Sequence, residues 1–422
     1  MVEHNLFDSG QTASAQTPAS QTHIVAITGY GAGGEGVARL EDGRVVFVRS
    51  AARGDILEVK LTKEQPRSAR AEAVRILTPS PHRIEPDCTF YPECGGCDFR
   101  HITYEEEIEA KLLRVNDALS RIGGLTIRAS QILRTGRIDG YRNKAVLHSD
   151  GKLMGFYRSR SHDIIPITNC LLLKDDLNSA LRGCAQGACG PCGPGAPYGP
   201  GDSCTPCSPG AEVTLRSGRN GLLPPLEEEL DGLIFGVSGF FQVNTGAALL
   251  LYQKAREYAE LSKSKTLIDL YCGAGALTLF AGRDAGFALG VELDRASTEA
   301  ARENAGRNSI SHAEFINADA EEWDPGAIRP DCIIVDPPRK GLSAGVIRKI
   351  LELSPDRIVY VSCDPATLAR DLRALRNLPD KRDLLNLPDI QEQRGYRVKD
   401  LCVVDMFPRT ANVECCCLLV KE

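Results

Sequence analysis

The last third of the chain alternates short apolar runs with segments of helical pattern, such as RASTEAARENAGRN. Four of the apolar runs lie within TLIDLYCGAG (266–275), FALGVELD (287–294), DCIIVDPPRKG (331–341) and RIVYVSC (357–363). Two more, LCVVDMF and VECCCLLV, lie near the C-terminus. Strand-like runs in alternation with helical segments predict a doubly wound α/β sheet, here over 236–422.

The segment 23–80 has a different pattern, in which short alternating runs are separated by glycine. RVVFV and ILEVKL alternate apolar and polar residues, and Gly-rich turns lie between such runs. This pattern predicts a small β-barrel of the OB type. Residues 1–22 are rich in Ser, Thr, Gln and Ala and are expected to form a disordered leader. No apolar run approaches the length of a membrane span, so we expect a cytoplasmic protein without a membrane partner.

The segment 81–235 is the least regular and is predicted to form a central domain. It contains several of the chain's 16 cysteines and a Gly/Pro-rich insert at 184–210. Because disulfides are rare in reducing compartments, clustered cysteines favour metal-binding or catalytic roles.

Charge gives two opposing indications about a nucleic-acid partner. The net charge of −6 argues weakly against one. Residues 49–83, however, carry eight Lys/Arg against four Asp/Glu, and residues 134–163 carry seven against three. Such segments can attract a polyanion, although a solvated surface of mixed charge also accounts for them.

A glycine-rich turn follows the first strand of the α/β domain. Gly273 and Gly275 let a ligand approach the backbone, and Glu292 after the next strand can accept hydrogen bonds from ribose hydroxyls. Asp269, near the end of the first strand, suits S-adenosylmethionine better than a pyrophosphate cofactor. An ordinary tight turn with an exposed glutamate is the alternative. In VDPPRKG, two prolines stiffen the strand exit and hold Asp336 near the cofactor.

A cysteine, Cys363, follows a buried strand and precedes a helical pattern, in SCDPATLARDL. The N-terminus of that helix is expected to lower the pKa of the thiol. The flanking Ser, Asp and Pro favour a turn that faces a pocket. Cys332 and Cys415 to Cys417 lie inside apolar strands, where packing is the better interpretation.

Five ordered motifs carry a family resemblance: FFQVN, DLYCGAG, VDPPRKGL, SCDPATLARDL and DMFPRTANVE. Together they resemble the RNA 5-methyluridine (uracil-C5) methyltransferase family, in particular its iron–sulfur-containing 23S rRNA branch. The resemblance implies a Rossmann-like S-adenosylmethionine-dependent methyltransferase domain, an N-terminal TRAM barrel and a central iron–sulfur domain. It extends from about residue 23 to the C-terminus, without the Gly/Pro-rich insert.

The chemistry of that family assigns roles to individual residues. Carbon 5 of uracil is a poor nucleophile until a thiolate adds to carbon 6, and a base must later remove the carbon-5 proton. The resemblance implies Cys363 as nucleophile and Glu414 as base. It also implies a cofactor or uracil pocket lined by Gln242, Tyr271, Gly273, Gly275, Glu292, Asp319 and Asp336.

Two positions depart from the family pattern. Ala276 stands where the family commonly has Asn, which removes one cofactor contact. Asn412 stands where the family commonly has His, two residues before the base. Neither change removes a bond-making group, so slower or differently tuned catalysis is expected at most.

Cys88, Cys94 and Cys97 form a closely spaced set that needs a fourth ligand to hold a [4Fe–4S] cluster. From the residues alone, structural zinc is an equal alternative. The resemblance implies Cys170 as the fourth ligand and favours iron–sulfur. The insert contains four more cysteines whose spacing resembles a zinc-ribbon ligand set: Cys189, Cys192, Cys204 and Cys207. The alternative is a flexible Gly/Pro-rich loop in which these thiols bind no metal.

The predicted function is therefore methyl transfer from S-adenosylmethionine to carbon 5 of a uridine in RNA. Ribosomal 23S RNA is favoured, with transfer RNA as the alternative. A non-catalytic iron–sulfur RNA-binding protein and an amino-group methyltransferase are the other readings, but neither requires Cys363. No obligate protein partner is indicated, and a monomer is expected.

Overall fold

The computed structural model describes residues 22–129, 131–151, 153–185, 209–222, 224–237, 241–376 and 395–422. The predicted leader, apart from Thr22, lies outside these residues, as do the four cysteines of the zinc hypothesis. The chain divides into two compact units. Of the described residues, the first unit comprises 22–29 and 35–81, and the second comprises 30–34 and those from 82 onward.

The first unit is built on a sheet of six strands in the order β1-β5-β6-β4-β3-β2. Alternate residues of its strands, such as Val46 and Val48, are fully buried in the core, as the alternation in RVVFV predicts. The strands are β1 (Thr22–Ala26), β2 (Gly29–Tyr30), β3 (Gly36–Arg39), β4 (Val45–Val48), β5 (Ile56–Gln65) and β6 (Ser68–Thr78).

The second unit begins with elements from the predicted central domain. They are α1 (Tyr104–Arg121), β7 (Ile132–Leu133), β8 (Lys144–Asp150), β9 (Met154–Tyr157), β10 (Ile164–Ile165), α2 (Asp175–Ala185), β11 (Pro209–Arg216), β12 (Glu227–Leu230) and β13 (Leu233–Gly236). A four-stranded sheet, β10-β9-β8-β11, packs with α2 around Leu147, Leu177 and Leu215.

The remaining elements form the α/β part of this unit. They are α3 (Thr245–Ala259), β14 (Thr266–Leu270), α4 (Ala276–Ala281), β15 (Phe287–Glu292), α5 (Arg295–Arg307), β16 (Ala313–Asn317), β17 (Cys332–Val335), α6 (Ala344–Leu353), β18 (Arg357–Ser362), α7 (Pro365–Leu375), β19 (Tyr396–Val404) and β20 (Glu414–Lys421). All six strands predicted here are present.

These strands lie in an eight-stranded sheet of order β16-β15-β14-β17-β18-β20-β19-β7. The pairs from β16 to β18 are parallel, whereas β20 is antiparallel to both of its neighbours. Consecutive residues of β14, Leu267 and Ile268, are both fully buried, each in a different core cluster. Coverage on both faces explains why these strands appear as continuous apolar runs. The predicted doubly wound α/β fold is confirmed.

The structure differs from the predicted division at residue 236. Strand β7 pairs with β19 at the edge of the large sheet, and Val115 and Leu119 of α1 lie in its core. Asn308, the C-cap of α5, exchanges two hydrogen bonds with the backbone of Ile234 in β13. Segments assigned to the central domain therefore complete the α/β domain. Among the described residues, no helix is both long and apolar enough to cross a membrane.

A buried charge network ties α1 to the turn between β19 and β20. Lys111 Nζ donates to Glu107 Oε1 and to Asp405 Oδ1, each at 2.6 Å, and to the carbonyl of Phe407 at 3.1 Å. Tyr104 donates to the other oxygen of Asp405 at 2.6 Å. Burial raises the pKa of Glu107 to about 7.

Lys111→Met is expected to lower the free energy of unfolding by about 3–5 kcal/mol, because it removes the buried ammonium that pairs with both Glu107 and Asp405. Denaturant unfolding measures this loss. Arg121→Met, on the same helix, is the matched control, because its pair with Asp117 is exposed (77% and 59%). Equal effects of the two changes would contradict the assigned role of Lys111.

Candidate active site

A cavity of about 950 Å³ lies at the carboxyl edge of the large sheet. Its walls include the segments that follow β14 to β18 in sequence, the residues before α3 and the turn before β20. Of the nine residues predicted for catalysis and cofactor binding, eight line it: Gln242, Tyr271, Gly273, Glu292, Asp319, Asp336, Cys363 and Glu414. Residues that are up to 172 positions apart in sequence are thus brought to one site.

Gly275 is the exception, because it is absent from the cavity lining. It is the N-cap of α4 with φ of 78°, and a Cβ there would lie 2.9 Å from the ring of Phe315 and 3.0 Å from Ala301 Cβ. Its role in this structure is therefore a left-handed turn and close helix packing. Gly273 also has positive φ (54°), but the space beside it is open.

The glycine-rich turn also fixes the carboxylate of Glu292. One oxygen accepts from the amide of Gly273 at 2.9 Å, and the other accepts from the amide of Asp294 at 2.8 Å. Asn317 donates to the carbonyl of Glu292 at 3.0 Å. The carboxylate predicted to bind ribose is therefore held against the turn predicted to bind the same ligand.

Asp269 is a fully buried carboxyl group that lines the cavity. Its Oδ2 accepts from Thr278 at 2.5 Å, whereas Oδ1 has no hydrogen-bond partner among the described residues. Burial, aided by Asp336 and Glu292, raises the pKa of Asp269 to about 8. A buried carboxylate oxygen without a donor fits a cationic ligand group such as those of S-adenosylmethionine.

Cys363 lies between β18 and the N-cap of α7, Asp364, whose side chain accepts from two amides of the first helical turn. Burial raises the pKa of the thiol. The neighbouring Glu414 and Asp336 raise it further, and Arg339 opposes them. The predicted lowering by the helix N-terminus is thus wrong in direction, because desolvation and two facing carboxyl groups outweigh it.

Glu414 opens β20 and is 3% exposed. Burial raises its pKa well above the usual range, Asp336 raises it further, and Arg339 opposes both. Burial also raises the pKa of Asp336 to about 6. Two neighbouring carboxyl groups resist double ionisation, which is the physical reason that Asp336 raises the pKa of Glu414.

Several lining residues were not predicted as site residues. Arg339 lies within the VDPPRKG motif, so a cation beside the strand exit was visible in the sequence. Gly95, Gly96 and Asp98 come from the cysteine-rich segment, and no sequence signal connects them to this cavity. Both departures from the family pattern, Ala276 and Asn412, line the cavity as well.

A second cavity, of about 620 Å³, is lined by all four predicted cluster ligands, Cys88, Cys94, Cys97 and Cys170. Burial raises the pKa of Cys97 to about 12, although Arg100 Nε donates to its Sγ at 3.4 Å. Within the described ranges, no three His, Cys, Asp or Glu side chains converge on a single metal ion. The four cysteines thus share one cavity lining but are not arranged as a site for a single metal ion.

Three family models match segments of the chain. Residues 20–74 match the TRAM domain, and residues 235–359 match the methyltransferase small domain. Residues 326–422, which include Asp336, Cys363 and Glu414, match the tRNA (uracil-5-)-methyltransferase family.

Whole-chain comparisons agree with these matches. Relatives include an uncharacterized RNA methyltransferase of Clostridium tetani, 30% identical over 94% of this chain and 95% of the relative. Another, of Caldanaerobacter subterraneus subsp. tengcongensis, is 32% identical over 95% and 98%. The fold is shared with the crystal structure of Pyrococcus abyssi tRNA (uracil-54, C5)-methyltransferase in complex with S-adenosyl-L-homocysteine. The TM-score is 0.67 at 22% sequence identity, and the match covers 94% of this chain and 99% of that chain. The chain therefore belongs to the RNA uracil-5 methyltransferase family, and a TRAM domain precedes its catalytic part.

Proposed function

We propose that the protein transfers a methyl group from S-adenosylmethionine to carbon 5 of a uridine in RNA, through a covalent bond between Cys363 and carbon 6. The observation that carries this proposal is that Cys363 and Glu414 line the same cavity as the cofactor-type residues around Gly273 and Glu292. The structurally similar Pyrococcus abyssi enzyme was crystallised with S-adenosyl-L-homocysteine, which supports a cofactor of this kind.

The cavity residues divide the chemistry between them. The Cys363 thiolate adds to carbon 6, and the π electrons of the 5,6 double bond move onto the carbonyl at carbon 4 as an enolate. The cofactor would supply an electrophilic methyl group to carbon 5, with its sulfur–methyl bond broken and S-adenosylhomocysteine as the leaving group. Glu414 then takes the carbon-5 proton, the double bond re-forms, and the bond from carbon 6 to Cys363 breaks. Asp336 raises the pKa of both Cys363 and Glu414, and Arg339 lowers it.

The cofactor would be held by residues at the ends of β14 and β15. The two carboxylate oxygens of Glu292 are positioned for ribose hydroxyls by the amide contacts described above. Asp269, with one carboxyl oxygen that has no hydrogen-bond partner among the described residues, would be available to a polar group of the cofactor. Gln242, Tyr271 and Asp319 complete the lining.

We also propose a [4Fe–4S] cluster at Cys88, Cys94, Cys97 and Cys170, with a structural role. The side chain of Asn178 pairs with both the amide (2.8 Å) and the carbonyl (3.0 Å) of Cys170, which fixes that ligand. Iron and acid-labile sulfide should co-purify with the protein under anaerobic conditions. Bound zinc without iron would favour the structural zinc alternative.

The RNA class is decided by a transfer assay with methyl-labelled S-adenosylmethionine. We expect label in 23S rRNA, at carbon 5 of uridine after digestion to nucleosides. Label in transfer RNA instead would favour the alternative substrate. Label on an exocyclic amino group, or no label on RNA that binds, would contradict the proposed reaction.

Adduct formation is expected to become faster as pH rises from about 6 to about 9, by up to tenfold per unit, because only the thiolate adds to carbon 6. Since burial raises the pKa of Cys363, the thiolate fraction grows throughout this range. The initial rate of trapping with 5-fluorouridine RNA measures it. A flat profile would show that thiol ionisation does not control the step.

A further inference from the structure

The segment Cys94–Asp98 forms a wall between two cavities. Gly95 and Gly96 line both the cysteine cavity and the active-site cavity. Cys94 and Cys97 line the former, whereas Asp98 lines the latter. The cysteine-bearing segment is therefore part of the active-site wall.

Three hydrogen bonds attach Asp98 and the adjacent Phe99 to the β19–β20 turn (residues 405–413), which leads directly into Glu414. The amides of Asp98 and Phe99 donate to the carbonyl of Arg409, at 2.9 and 3.1 Å. In return, the amide of Ala411 donates to Asp98 Oδ2 at 2.9 Å. Asp98 thus binds the turn through both its backbone and its side chain.

The turn needs such support because its backbone is strained. Arg409 has φ of 67°, a left-handed conformation that is unfavourable for a residue with a side chain. Its amide donates to Glu107 at 2.8 Å, and Arg114 donates to the carbonyl of Ala411 at 2.6 Å. Three residues of the turn, Phe407, Thr410 and Asn412, also line the active-site cavity.

We propose that Asp98 is a positioning residue for Glu414, because its carboxylate holds the β19–β20 turn in the conformation that places the Glu414 carboxyl in the cavity. This inference rests on the proposed function. It predicts a selective effect, since Cys363 lies between β18 and α7, whereas the hydrogen bonds described above join Asp98 to the turn that leads into Glu414. Removing the Asp98 carboxylate should slow the proton transfer that resolves the adduct and leave formation of the adduct largely unchanged.

The test separates these two half-reactions in Asp98→Ala. We expect resolution of the adduct on ordinary uridine RNA to slow about tenfold, whereas trapping on 5-fluorouridine RNA changes less than about twofold, because one charge-assisted hydrogen bond to a positioned group is lost. A covalent complex with ordinary RNA should then accumulate on a denaturing gel. The KM for RNA should remain near that of the wild type.

Two further variants separate positioning from general destabilisation. Asp98→Asn keeps an oxygen acceptor for the amide of Ala411 and should restore resolution. Asp331→Ala is the matched control, because Asp331 also accepts one backbone amide, that of Thr266, at 2.8 Å, but at the opposite edge of the sheet. It should not cause the adduct to accumulate. Asp98→Ser supplies the comparison if the alanine variant does not fold.

Resolution at the wild-type rate in Asp98→Ala, or equal slowing of both half-reactions, would overturn the positioning role. Failure of Asp98→Asn to restore resolution would overturn it too. If the wild type itself formed no adduct with 5-fluorouridine RNA, the proposed function would fail instead, so the two failures are distinguishable.

Discussion

Cys363→Ala is expected to abolish methyl transfer, with a loss of about 10⁴-fold or more, comparable to removal of a nucleophile in other covalent enzymes. The physical reason is that without addition to carbon 6 the carbon-5 position of uracil lacks the electron density to take the methyl group. The measurement is single-turnover methylation of RNA, together with adduct formation on 5-fluorouridine RNA. Fluorine at carbon 5 cannot leave as a proton does, so the wild-type adduct should persist on a denaturing gel and be absent in the variant.

Cys332→Ala is the matched control for that result. Cys332 is 1% exposed inside β17 and is absent from both cavity linings. It should keep the adduct and the methylation rate even if stability falls slightly. If Cys363→Ala methylated RNA at a rate near that of the wild type, the thiol would have only a packing role. The alternative of an amino-group methyltransferase would then be favoured.

Glu414→Gln is expected to slow turnover by about 10²–10⁴-fold, because an amide cannot accept the carbon-5 proton. The loss should fall on the second half of the reaction. Ordinary uridine RNA, which the wild type releases, should remain covalently bound to Cys363 in this variant, with the methyl group already transferred. A denaturing gel with methyl-labelled cofactor detects a labelled protein–RNA complex.

Glu228→Gln controls for the loss of a buried carboxylate. Glu228 is 2% exposed, accepts from Asn143 at 2.7 Å and from Thr245 at 3.0 Å, and is absent from both cavity linings. It should not trap RNA. If Glu414→Gln lost activity without a covalent complex, Glu414 would act before or during thiol addition, and another base would have to remove the proton.

The positive charge of Arg339 acts on both the thiol that adds to carbon 6 and the carboxyl group that removes the carbon-5 proton. It is the cation that opposes the raised pKa of both Cys363 and Glu414. Because each group must lose a proton to act, a cation beside them favours the reactive form of each. The pKa values of both groups remain raised in its presence, because burial is the larger effect.

Much of the fold was predictable because local patterns and tertiary burial agree. The strands β14, β15, β17 and β18 are covered on both faces, so most of their residues are apolar and each was visible as a short apolar run. The alternation in β4 and β5 likewise reflected a sheet with one buried face. The short strand β7, with two residues, carried no such signal, and only its pairing with β19 shows that it completes the large sheet.

The two glycines of the DLYCGAG motif also show which features are visible in the sequence and which depend on tertiary packing. Gly273 and Gly275 are equivalent in the sequence, and both adopt positive φ as the turn requires. Only the packing of Phe315 and Ala301 against Gly275 separates a glycine needed for helix contact from one that faces the cavity.

The sequence by itself determined the order of strands and turns and the residue types at strand ends. These features depend on local backbone preference and on burial of continuous apolar runs. The tertiary structure decided the protonation tendencies of Cys363 and Glu414, the attachment of the Cys94–Asp98 segment to the β19–β20 turn, and the membership of α1 in the α/β domain. Desolvation and facing charges depend on which distant residues meet, and a linear pattern does not contain that information.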